Sequence, residues 1–379
     1  MTKQELFPAR RSLSAALAPN ADNWLIWVLG AVALLFALLR PLPASACVEL
    51  VDWRTVGALA GLLILLKGIE LSGMLQRAAS QLLSRVTEMR RLALMLAAFA
   101  AGLSAVVTND VSLFLLVPLT RSLAAQAKLP LARLVVLEAL AVNAGSALTP
   151  IGNPQNLFLW QSSGMGFAAF VTMMAPVVAI MLLLLAATVW WLVPRQAIEL
   201  VPPADADAVS LRWFAISGSL LPAFLAALAF HQLVPALALV GAIYLLCNRR
   251  VLARTDWALL LIIGLMFVDL RQLADLPAIT ALVKSLPIGQ GLGTYLAGIV
   301  TSQAISNVPA AILLERHVHD LPALAAGVSV GGFGFFVGSL ANIIALRLAQ
   351  APAAFAEFHR IAIPFLLLTT AVVGLLFLR

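Results

Sequence analysis

The chain has 379 residues, of which 62% are hydrophobic and only 11% charged, with a formal net charge of +7. A soluble domain is about 45–50% apolar and about 25% charged, so a water-soluble enzyme, a disordered chain and a coiled coil are excluded, and a polytopic membrane protein remains. The basic residues sit in short loops between apolar runs, where they orient a chain in a bilayer rather than bind nucleic acid.

At the N-terminus Lys3, Arg10 and Arg11 precede the apolar run Trp24–Leu39, and Ala44-Ser45-Ala46-Cys47 follows it. The pattern resembles a cleavable signal. The basic region is long for one, and the run has a counterpart later, so a retained first helix behind a cytoplasmic tail over 1–23 is expected. Apolar runs lie at about 24–40, 55–75, 92–120, 130–160, 167–193, 213–230, 232–248, 256–270, 290–314, 323–350 and 354–378. A spanning helix needs roughly 20 residues. Four runs are interrupted by polar or Gly/Pro clusters: 92–120, 130–160, 290–314 and 323–350.

The chain repeats itself. Asp52-Trp53 opens one segment and Asp256-Trp257 another; Ala101-Gly102 before Thr108-Asn109 resembles Ala297-Gly298 before Ser306-Asn307. Gly145, Gly152 and Asn156 have the same spacing as Gly331, Gly338 and Asn342. The expected organisation is a first half over 24–193, a linker with one extra helix over 194–231, and a second half over 232–379. If each half holds two plain helices, an interrupted hairpin, a broken helix and a final helix, the single extra helix leaves the second half upside down. With the N-terminus inside, 17 basic residues fall on the cytoplasmic side and 6 outside, with Lys67 within a helix, the bias that a bilayer imposes. The expected fold class is therefore an all-α polytopic membrane protein with two inverted repeats, re-entrant helical hairpins and broken helices, the plan of secondary transporters. Cys47 and Cys247 fall on opposite sides, and no disulfide is expected between them.

Of nine asparagines, Asn109, Asn143, Asn153, Asn156, Asn307 and Asn342 all lie in the interrupted runs. An amide in hydrocarbon is costly unless satisfied, so the breaks are expected to face one another or a shared polar cavity. In the first hairpin, Thr108-Asn109 ends one arm and a helix restarts after Asp110, which offers carbonyls that suit a cation and amides that suit an anion; ordinary capping is the competing explanation. In the second, Asn307 after Ser306 is expected to cap, with Pro309 in the first helical turn. Two prolines and two glycines within Asn143–Asn156, among them Thr149-Pro150 and Gly152-Asn153-Pro154, cannot continue a straight helix. The counterpart Gly331–Asn342, with Gly338, is glycine-rich without proline, and its glycines also fit close helix packing.

These residues resemble the ion transporter superfamily, which includes arsenite-efflux and NhaD sodium–proton permeases, citrate permeases and divalent-anion–sodium symporters. In the symporters a Ser-Asn-Thr motif marks each hairpin tip, and Thr108-Asn109-Asp110 and Ser306-Asn307-Val308 are similar. A Thr-Pro-x-Gly-Thr-Pro-Pro-Asn stretch marks their broken helix, and Thr149-Pro150-Ile151-Gly152-Asn153-Pro154-Gln155-Asn156 is similar. The resemblance implies an elevator mechanism, an ion-coupled small anion or oxyanion substrate, and sodium near Asn109, Asp110, Gly152 and Asn153. By analogy it also implies a homodimer in a plasma or inner membrane. Asp110 and Val308 stand in place of threonines, which breaks the symmetry of a sodium-site pair. Asp110, together with the absence of Lys, Arg or His at either tip, supports a sodium–proton antiporter as the alternative. No cofactor is expected, and the coupling ion is sodium or a proton. Asp110 is the charge expected to carry it, deep at its tip.

Other charges read as peripheral. Lys67 and Glu70 are expected to snorkel, Glu138 to sit near the interface inside Arg133, and Asp269 and Arg271 to reach the outer surface. His317-x-His319 lacks a metal framework, and no nucleophile elbow, HExxH or phosphate loop marks an enzyme.

Overall fold

The computed structural model describes residues 24–74, 86–127, 129–198, 209–277, 291–351 and 353–377, together with 77, 81, 279 and 281. The expected tail over 1–23 and the middle of the expected linker lie outside the described residues. In chain order the helices are α1 (Trp24–Leu39), α2 (Ala44–Glu49), α3 (Trp53–Leu71), α4 (Met89–Val106), α5 (Asn109–Ala127), α6 (Leu131–Ser146), α7 (Pro154–Ser163) and α8 (Phe167–Leu192). They continue as α9 (Leu211–Ala229), α10 (Leu233–Cys247), α11 (Arg249–Arg254), α12 (Trp257–Ala274), α13 (Leu292–Ile305), α14 (Asn307–Glu315), α15 (Leu321–Val330), α16 (Leu340–Ala349) and α17 (Ala354–Gly374). Among the described residues the only β-pairing is an isolated bridge between Glu88 and Ala197. Among the described residues five stretches are long and apolar enough to cross a membrane: Met89–Val106, Phe167–Leu192, Leu211–Leu228, Trp257–Ala274 and Ala354–Phe377. The chain is an all-α, membrane-embedded protein.

It divides into two compact units, one of residues up to Ser72 with Ser210–Ile279, the other of Gly73–Val209 with Thr280–Arg379. Each unit draws on both halves of the sequence. In the first, α3 is the hub, packed by α9, α10, α11 and α12, while α1 lies on α12. Glycines on α3 permit the close approach: a Cβ on Gly61 would lie 2.1 Å from the Phe224 ring, and one on Gly68 would lie 2.4 Å from both the Ser217 and Tyr244 hydroxyls. Those hydroxyls are bonded to each other at 2.6 Å.

The two Asp-Trp pairs build the same helix entry twice. Asp52 accepts from the amides of Arg54 and Thr55, and Asp256 accepts from that of Leu259. The Trp53 indole donates to the carbonyl of Val48 at 2.9 Å and the Trp257 indole to that of Leu252 at 2.7 Å, each five residues back. The carboxylates occupy orphan amides, and each tryptophan ties the preceding short helix, α2 or α11, to the start of its own.

The second unit contains every interrupted run. A helical pair, a helix–break–helix and a long final helix follow one another twice, as α4 to α8 and as α13 to α17. The first pair turns at Val107-Thr108, so α5 starts at Asn109 rather than after Asp110. The second turns at Ser306 alone. The arm α4 has 18 residues and is about 27 Å long. The proline-free run also breaks: α15 stops at Val330, Gly334 takes φ +88°, and α16 starts only at Leu340. Its glycines serve packing as well, since a Cβ on Gly327 would lie 2.3 Å from the Tyr295 carbonyl.

Candidate functional site

All six asparagines of the interrupted runs are buried, and all lie in the second unit. Each half stitches its broken helix with an asparagine that reaches ten residues back. The Asn156 Nδ2 donates to the carbonyls of Ser146 (3.4 Å), Ala147 (2.9 Å) and Thr149 (3.3 Å). The Asn342 Nδ2 donates to the carbonyl of Gly332 at 2.8 Å. Carbonyls freed by each break thus meet an amide rather than lipid. The restarting helices are capped by side chains: Asn153 Oδ1 accepts from the Asn156 amide at 2.9 Å, and Ser339 Oγ from the Ala341 amide at 3.3 Å. Asn153 also donates to the Ser146 carbonyl and hydroxyl, each at 3.1 Å.

The hairpin turns are tied to these breaks. The Asn109 amide donates to the Gly152 carbonyl at 2.9 Å, and Thr149 Oγ1 donates to the Ala105 carbonyl at 2.6 Å. Asn109 Oδ1 accepts from the Asp110 amide, and Asn307 Oδ1 from the Val308 amide, both at 2.9 Å. The two tips therefore close in the same way, each through the next residue's amide.

The halves meet through Asn143, whose Nδ2 donates to Asn342 Oδ1 at 2.7 Å and to the Ala139 carbonyl at 3.1 Å. Gly332 lies between the second tip and this pair: a Cβ there would sit 3.3 Å from Asn307 Nδ2 and 3.4 Å from Asn143 Oδ1. Larger contacts exchange in the same sense. The second arm α5 packs on α16 of the other half, and α14 packs on α7.

The remaining expected residues take related places. Thr108 is buried, its hydroxyl accepting from the Val111 amide at 3.4 Å. Asp110 and Thr149 are half-buried. Ser306 is half-buried with φ +76° and ψ 156°, a region that only glycine enters without strain. The Gly338 amide donates to the Phe335 carbonyl, and a Cβ there would lie 2.7 Å from the Gly331 carbonyl.

Sequence reasoning missed three participants. Gln303 donates to the carbonyls of Gly331 (2.6 Å) and Phe333 (2.8 Å) and accepts from the Phe335 amide (2.8 Å), so one carboxamide holds the glycine-rich break open. Its place one turn before Asn307 was the available signal. Ser146 and Gly332 supply the carbonyls that the stitching asparagines take. His359 Nε2 accepts from the Phe336 amide at 3.4 Å, so an imidazole borders the second break, while Asn156 Oδ1 and Ser329 Oγ are buried without a hydrogen-bond partner among the described residues.

Two peripheral charges depart from expectation. Arg133 pairs with Glu357 at 2.8 Å, while Glu138 is 1% exposed and bonded to Thr120; it is a core residue, not an interfacial one. Asp269 is also buried and does not reach the surface, though Arg271 reaches the carbonyls of Glu49 and Leu50. Lys67 and Glu70 pair with each other within α3.

The profile of the citrate transporter family matches residues 21–321. Over 324 residues the chain is 42% identical to inner membrane protein YbiR of Escherichia coli, an alignment covering 86% of this chain and 87% of that protein. It is 28% identical to an uncharacterized transporter of Methanocaldococcus jannaschii, covering 87% and 90% of the two. Human P protein is 25% identical, with 91% of this chain aligned to 56% of that protein. These relatives indicate a transporter rather than an enzyme.

Proposed function

This chain belongs to the citrate transporter family, and on that premise we propose that it is an ion-coupled secondary transporter of a small anion or oxyanion. Its cargo site is the buried amide network that joins Asn109, Asn143, Thr149, Gly152, Asn153, Asn156, Asn307, Gly338 and Asn342, with Thr108, Asp110 and Ser306 beside it. The observation that carries this reading is the 2.7 Å bond between Asn143 and Asn342. It draws two broken helices, each with freed backbone groups, to one buried polar point. Helix starts at Asn109, Asn153, Ser306 and Ser339 supply positive dipole ends suited to an anion, and the breaks' carbonyls suit a cation. The matched order of α4–α8 and α13–α17, and the doubled Asp-Trp entry, support inverted repeats. The gathering of every break into one compact unit supports an elevator, in which that unit carries cargo and coupling ion together. Asp110 is the charge at the tips and is assigned the coupling ion, sodium or proton. The chain works as a multi-pass protein of the inner membrane with a cytoplasmic N-terminus, and as a homodimer.

A second reading, a sodium–proton antiporter, is favoured by one observation: an acidic Asp110 at one tip, with no Lys, Arg or His in the tip segments Thr108-Asn109-Asp110 and Ser306-Asn307-Val308. Protein in lipid vesicles separates the two. Accumulation of labelled citrate under an imposed sodium or pH gradient supports anion transport. A sodium-driven change of internal pH without added anion supports the antiporter and would remove the first reading.

A further inference from the structure

Glu138 is a carboxyl in the middle of α6, 1% exposed, and belongs to none of the ion pairs among the described residues. One oxygen is bonded to the hydroxyl of Thr120 on α5, itself fully buried, and among the described residues the other has no hydrogen-bond partner. A lone carboxylate in a site this dry takes up a proton unless a cation pairs with it. The elements packed on α6 are α4, α5, α8, α15, α16 and α17. Their charged and titratable side chains are Arg90, Arg91, Asp110, Arg121, Arg347, Glu357, His359 and Arg360, with Arg133 on α6 itself. Arg133 is held by Glu357, Arg90 by the Val193 carbonyl, Arg121 by the Leu348 carbonyl and Gln350, and Arg91 lies by Glu88. His359 bonds the Phe355 carbonyl and the Phe336 amide, Arg347 and Arg360 are exposed, and Asp110 sits at the hairpin tip, ten positions from Thr120.

We propose that Glu138, with Thr120 as its hydroxyl partner, is a proton-binding site of the unit that holds the breaks, separate from Asp110. It rests on the transport reading for its use, and its occupancy does not. One proton passes from water at one membrane face to the Glu138 carboxylate and from the acid back to water at the other; only O–H bonds form and break. The link to cargo runs along α6. Asn143 lies five residues on, about 7.5 Å along the axis, and its Nδ2 bonds the carbonyl of Ala139, the residue after Glu138.

The test uses the full chain in lipid vesicles and follows the carbonyl stretch of protonated carboxyl groups by infrared difference spectroscopy as pH is stepped. No cargo is needed. The expected result is a titrating protonated-carboxyl band that is lost in Glu138→Gln, displaced in Thr120→Val and kept in Asp110→Asn. A band unchanged in both Glu138→Gln and Thr120→Val overturns the proposal, and Thr120→Val decides alone if the first variant does not fold. Labelled citrate then serves as the transport probe. Glu138→Gln should lose pH-driven uptake by tenfold or more and keep citrate–citrate exchange at equal pH. Wild-type vesicles that move no citrate would sink the transport reading on that probe, while the infrared band still decides on the proton.

Discussion

Asn143 and Asn342 stand 199 positions apart and are joined by a 2.7 Å bond between buried amides. The bond ties the last turn of α6, before the first break, to the first turn of α16, after the second. Replacing Asn342 with Ala removes the donor to the Gly332 carbonyl and leaves the Asn143 amide only its bond to the Ala139 carbonyl. Leaving a buried polar group unpaired costs about 1–3 kcal/mol, so the variant should melt earlier and lose citrate accumulation. Thermal melting of the purified protein, paired with vesicle uptake, reads both.

Glycine substitutions should sort by what a new methyl meets. Gly152→Ala drives a Cβ to 2.1 Å from the Ser146 carbonyl, a backbone atom that cannot step aside. Overpacking costs about 1–3 kcal/mol or more, so this variant should fold poorly. Gly332→Ala meets the Ser329 carbonyl at 3.1 Å and the amide ends of Asn307 and Asn143 at 3.3 and 3.4 Å, a milder crowding; it should fold and transport weakly. Gly218→Ala meets nothing within 4 Å and should behave as wild type. Monodispersity and uptake of the three, compared side by side, check the ranking.

Ser306 holds a conformation at φ +76° that costs a non-glycine residue about 1–3 kcal/mol. Ser306→Gly should raise the melting temperature and reduce transport, because a relaxed tip no longer fixes Asn307. A variant that is both less stable and fully active would remove strain from the account.

Opposite orientation of the two halves has its own test. Single cysteines placed at Arg121 and at Arg316, in a chain lacking Cys47 and Cys247, should react with a membrane-impermeant thiol reagent from opposite faces, Arg121 from the cytoplasm. Labelling from one face alone contradicts the inverted repeat.

Much of this was legible in residue types. Proline and glycine cannot continue a helix, so the break between α6 and α7 was readable from Pro150, Gly152 and Pro154. The first turn came within two residues of its expected place because Asn and Asp mark helix starts. The Asp-Trp pairs were visible as a repeat, but their stapling geometry needed coordinates, since a tryptophan's partner is a carbonyl five residues back that no side chain announces. Gln303 escaped notice because it acts on backbone carbonyls 28 and 30 residues away. Glu138 was expected near the interface because it lies only a few residues inside Arg133; Arg133 pairs with Glu357, and Glu138 bonds Thr120 in the core. Helix phase, not sequence distance, decides which side chains meet.

The central claim is that buried amides at four breaks select cargo and couple it to an ion gradient. Purified wild-type and Asn143→Ala proteins in sealed vesicles, given labelled citrate under imposed sodium and pH gradients, test it most directly. The account predicts saturable accumulation above the outside concentration, driven by one of the two gradients and abolished in the variant. Flux that neither saturates nor follows either gradient, or that survives unchanged in Asn143→Ala, would contradict it.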